Sequence, residues 1–93
     1  MAKTLTEDEL LQRLSHCISE VRRVTAMRDD VPAVMLEIPL RDHNEYVRIC
    51  AVQNKNITTA QLERALLDTS WRVRKIAQGK LDLRNNPKGD TDV

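Results

Sequence analysis

Apolar positions along the chain fall into rows that return every 26 residues. Leu5, Val31 and Ile57 form one row, Leu10, Leu36 and Leu62 a second, and Leu14, Leu40 and Leu66 a third. A later set follows in the same register: Val21, Val47 and Val73, then Val24, Cys50 and Ile76, with Ala51 matching Ala77. Leu10 with Leu14 and Val21 with Val24, like their repeats, lie four and three positions apart, the spacing that lines one face of a helix. Several rows sharing one register point to an internal repeat, each unit being two short helices.

Start and stop signals sharpen the boundaries. Thr6-Glu-Asp-Glu9 and Thr58-Thr-Ala-Gln61 read as capping boxes, in which hydroxyl and carboxyl or amide groups satisfy amides the first helical turn leaves free. Asp30 ahead of Val31 and Pro32 offers a cap with proline in the first turn. The first helices are therefore expected over residues 7–15, 32–40 and 59–67. The second helices are expected over 19–27, 45–53 and 71–78, capped by Ser19, Asn44 and Ser70, with Gly79 as the last stop. Pro39 lacks an N–H and should shorten or kink the end of the third helix. The stretch 84–93 loses periodicity and reads as a disordered tail, leaving 1–83 as a single domain. Helices this short are unstable alone and must stack on neighbours. The expected fold is all-α, a short right-handed α-α superhelix (solenoid) of about three two-helix repeats.

The segments Asp42…Val47-Arg48 and Asp68…Val73-Arg74 share an Asp-x-x-x-x-Val-Arg pattern that resembles the signature of HEAT repeats. The short period, with Asn54-Lys-Asn-Ile-Thr58 leading into Leu62, Leu66 and Asp68, is similar to the variant leucine-rich repeat. The resemblance spans residues 5–81, and the first unit has His16 where the aspartate is expected. It implies an aspartate–arginine ladder inside the superhelix, with Asp42, Asp68, Arg48 and Arg74 structural and Arg22 a weaker member. It also implies a scaffold that binds protein or nucleic acid, without naming the partner. The cysteine-rich iron–sulfur segment of the variant family's founding member has no counterpart, since Cys17 and Cys50 cannot supply four ligands.

Composition narrows the function classes. With 41% apolar residues in 93, a packed core is possible, and a net charge of +1 argues against a globally basic coat. Charge is unevenly placed, however. Residues 69–88 hold Arg72, Arg74, Lys75, Lys80, Arg84 and Lys88 against the single acid Asp82. Glu7, Asp8 and Glu9 crowd the other end, where they suit the dipole of a first helical turn. Arg72 and Lys75 share a helix face, and Trp71 and Tyr46 begin successive second helices. These four, with Lys80 and Arg84, are the candidate partner-binding residues.

His16 and His43 are expected in turns, Cys50 in the core and Cys17 in a loop. Without a phosphate loop, nucleophile elbow or ligand cluster, the expectation is a non-enzyme with no cofactor and no metal. The N-terminus becomes acidic where a secretory leader needs an apolar run, and no membrane span is present. The expected protein is a cytoplasmic adaptor or inhibitor that binds another protein through an acidic surface on that partner. The alternatives are a nucleic-acid-binding module using the same basic strip and a self-associating homo-oligomeric unit.

Overall fold

The computed structural model describes residues 4–85. The elements are α1 (Glu7–Leu14), α2 (Ser19–Ala26), a 3-10 turn (Ala33–Leu36) running into α3 (Glu37–Leu40), α4 (Glu45–Gln53), α5 (Thr59–Ala65) and α6 (Trp71–Asn85). All regular structure among the described residues is helical. α1 packs on α2, α3 on α4 and α5 on α6, while α2, α4 and α6 lie side by side in that order. Expected and observed elements thus agree in order, the third expected helix being a 3-10 turn that runs into one turn of α-helix.

Local chemistry explains the boundaries. Thr6 and Thr58 form the expected capping boxes, with Glu9 and Gln61 returning their side chains to the cap amides at 2.9 Å. Asn44 Oδ1 accepts from the Tyr46 and Val47 amides at 2.8 and 3.3 Å. Ser19 is not a cap. It is the first helical residue of α2, behind Ile18, and the turn is instead closed by His16 Nδ1, which accepts from the Ile18 amide at 3.0 Å. Asp30 does not cap either; its carboxylate reaches the Leu5 amide at 2.9 Å and the Arg28 guanidinium at 2.9 Å. The segment that follows tightens to a 3-10 turn, and the end of the expected helix, Pro39 included, is its α-helical part and reaches Leu40. The departure thus lies at the start of the helix and not at the end, where Pro39 was expected to shorten it.

Gly79 does not stop the last helix. α6 continues through it to Asn85, so that Arg84 and Asn85, expected in the tail, are helical, whereas 86–93 lie outside the described residues. Gly79 keeps a negative backbone φ, and Leu81, buried on the core side one turn on, gives the helix reason to extend.

The core gathers Leu10, Leu14, Val31, Leu36, Val52, Ile57, Leu62, Val73, Ala77 and Leu81, with Cys50 and Ala51 among them. One expected core position fails. Val24 is 65% exposed, although its counterparts Cys50 and Ile76 are buried and half-buried. Those residues sit on helices with a preceding neighbour, α2 and α4, whereas α2 has no second helix before it among the described residues. Its face therefore remains open, and a shallow hollow of about 370 Å³ lies there among Arg13, Glu20, Val21, Val24 and Thr25.

Candidate interaction surface

Polar bonds join the helix pairs in two sets. In the first, Arg22 Nε and Nη2 meet Asp42 at 2.7 and 3.3 Å, and Arg48 Nε and Nη2 meet Asp68 at 3.0 and 3.2 Å. The same aspartates accept amides of their own turns, from Asn44 at 2.9 Å and Ser70 at 2.8 Å. Each arginine also turns Nη1 back on the carbonyl six residues earlier, His16 at 2.7 Å and Asp42 at 2.7 Å. Arg22 and Asp42 side chains are only 8% and 7% exposed, so Arg22 is the most enclosed arginine of the set rather than its weakest. Such buried pairs are two-dentate and charge-assisted, the geometry arginine offers and lysine does not.

The second set lies where the chain passes from one pair to the next. Asn54 Nδ2 donates to the carbonyls of Ala26 and Arg28 at 2.8 and 2.9 Å, and Asn56 Nδ2 to those of Asp29 and Val31 at 2.9 and 2.7 Å. One pair further on, Lys80 Nζ reaches the Asn54 carbonyl at 3.3 Å and Arg84 Nη2 the Ile57 carbonyl at 2.6 Å. Burial lowers the Lys80 pKa, with Arg84 adding to the effect. Lys80 and Arg84 accordingly tie α6 to the preceding loop and do not join the other candidate residues.

Of the remaining candidates, Arg72 and Trp71 are in contact with each other. Glu45, at the start of α4, accepts from Ser70 Oγ at 2.5 Å and lies 3.5 Å from Arg72 Nη1. The Arg72 guanidinium is stacked 4.9 Å from the centre of the Trp71 ring, and Arg23 sits 5.9 Å from that of Tyr46, arrangements in which a cation meets the negative ring face. Trp71 and Tyr46 are 56% and 48% exposed, and Arg72, Arg74 and Lys75 are exposed beside them. Two aromatic rings, each with a guanidinium against it, and further cations are thus exposed on α4 and α6. Glu37, which the sequence did not single out, bonds Arg64 and Gln61 across to α5; these contacts, Arg64's foremost, hold its carboxyl below the usual range.

The other candidates are quiet. His16 serves its turn, and His43 is exposed at 3.8 Å from Asp42 Oδ1. Cys17 is exposed and Cys50 buried. Among the described residues no group of three or more His, Cys, Asp or Glu side chains could hold a metal ion, and no helix is long and apolar enough to cross a membrane. No protein family, curated protein or solved structure matches the chain.

Proposed function

We propose that this chain is a non-enzymatic protein-binding module, an adaptor or inhibitor built as a short right-handed superhelix of three helix pairs. Supporting the superhelix is the repetition of bonds at a fixed offset of 26 residues: Arg22 to Asp42 becomes Arg48 to Asp68, with matching contacts to each arginine's own turn. The observation that carries the binding role is the exposure of Tyr46, Trp71, Arg72 and Lys75 on α4 and α6. Aromatic rings beside guanidinium groups are the residue types that concentrate binding energy in protein interfaces, and the cations suit an acidic partner.

The test is capture by the tagged chain from native lysate after nuclease treatment, with wild type, Trp71→Ala and Arg72→Glu run in parallel. A stoichiometric protein that wild type retains and both variants lose by about tenfold or more supports this reading. Recovery that vanishes with nuclease favours a nucleic-acid-binding module instead, for which Arg72, Arg74 and Lys75 would contact phosphates and binding would weaken steeply with salt.

A further inference from the structure

Arg74 repeats the internal contacts of Arg22 and Arg48 but lacks their acid. Its Nη1 donates to the carbonyls of Asp68 at 2.8 Å and Thr69 at 3.2 Å, as Arg22 Nη1 does to His16 and Cys17 at 2.7 and 3.2 Å. Those bonds orient the guanidinium. In Arg22 and Arg48 the remaining Nε–Nη2 edge grips an aspartate of the next pair. In Arg74 that edge has no partner among the described residues, and the side chain is exposed. We infer that the Nε–Nη2 edge of Arg74 is a binding site for an aspartate or glutamate carboxylate of a foreign polypeptide, which docks end-on against α6 beside Trp71.

The surroundings identify the occupant. Val52, fully buried on α4, corresponds at the 26-residue offset to Gln78, which is exposed. Glu45, which bonds Ser70 and Arg72 of the next pair, corresponds to Trp71. The end face thus keeps the arginine while exchanging the groups that would hold another pair of this chain's own kind. A second copy stacked in the same register would bring His16, not an aspartate, to Arg74. The His16 Nδ1 lone pair is already taken by the Ile18 amide, so no anionic acceptor is offered there. Arg72, Arg74 and Lys75 make the surface cationic, which favours an acidic segment.

This inference rests on the protein-binding reading above and can fail separately from it. The probe is a blocked synthetic peptide of net negative charge, unrelated in sequence to this chain, with one aspartate at its centre, compared with its asparagine form. The readout is the Arg74 Nε–H resonance of the isotopically labelled full-length chain. The expected result is a saturable shift with the aspartate peptide, and affinity lower by about tenfold or more for the asparagine peptide. The same loss, followed at the Trp71 indole N–H resonance, is expected for the Arg74→Lys chain, which keeps charge but not the two-pronged geometry. An unmoved resonance, or equal affinity for both peptides, overturns it. So does an equal shift on adding inorganic phosphate, which makes the site a general anion site. A shift that tracks chain concentration assigns the site to a second copy, and one produced by deleting residues 86–93 assigns it to the chain's own segment; either overturns the foreign occupant. If Trp71→Ala abolishes partner capture while Arg74→Lys leaves it intact, the protein-binding reading stands and this one falls.

Discussion

At the residue scale, similar guanidinium groups meet different environments, and their substitutions should separate accordingly. Removing Asp42 leaves Arg22 charged, 8% exposed and without its carboxylate. Asp42→Ala is expected to lower unfolding free energy by about 3–5 kcal/mol, the usual result of orphaning a buried charge. Arg74→Ala removes an exposed side chain with carbonyl partners only and should lose no more than about 1 kcal/mol. Urea unfolding followed by circular dichroism measures both, and equal losses would show that burial does not distinguish the two sites.

Asp30 supplies a different test. The Arg28 guanidinium, with help from the Leu5 amide, holds its carboxyl down at about 2. A carboxyl whose pKa is lowered on folding stabilises the protein above its ordinary value near 4 and loses that contribution as pH falls toward 2. Asp30→Asn should therefore reduce Tm at pH 6, and the gap from wild type should close between pH 4 and pH 2. A gap independent of pH would assign the loss to packing.

At the element scale, α6 offers the cleanest substitution. Gly79 lies within the helix with no left-handed backbone requirement, and a Cβ built there meets nothing within 4 Å. Gly79→Ala should raise stability by about 0.5–1 kcal/mol through reduced backbone entropy in the unfolded chain and better helix propensity. A loss in thermal unfolding would contradict a continuous α6. This residue also shows where sequence reading reaches its limit. Glycine near the end of an apolar pattern reads as a stop, yet Leu81 lies in the core and Arg84 and Lys80 find carbonyls in the preceding loop. Those partners are distant in sequence, so no local pattern announces them. Capping boxes at Thr6 and Thr58 were legible because all their atoms lie within four consecutive residues. Asp30 looked like another cap, but a bond to Leu5, 25 residues away, takes its carboxylate.

At the scale of the whole molecule, position within the row of helix pairs decides the role of otherwise matching residues. Val24, Cys50 and Ile76 share a register but are exposed, buried and half-buried in turn, because a neighbour on either side is a property of the assembly and not of the sequence motif. The same holds for the candidate site. Trp71, Tyr46, Arg72 and Lys75 were recognisable as residue types suited to an interface, but Lys80 and Arg84, equally basic, are engaged internally. Charge reversal at Lys75 should consequently reduce affinity for an acidic partner with little change in Tm, whereas Arg84→Glu should lower Tm by disrupting the loop contact. Parallel melting and binding curves would expose the reverse pattern if the assignments were exchanged.

The stacking of Arg72 over Trp71 on an exposed surface has an optical corollary. Trp71 is the only indole in the chain, and it is 56% exposed when the protein is folded. Its emission should move modestly to longer wavelength on denaturation, while a partner that covers the ring should shift the emission to shorter wavelength. The native chain therefore carries its own fluorophore for occupancy, in which unfolding and contact move the signal in opposite directions.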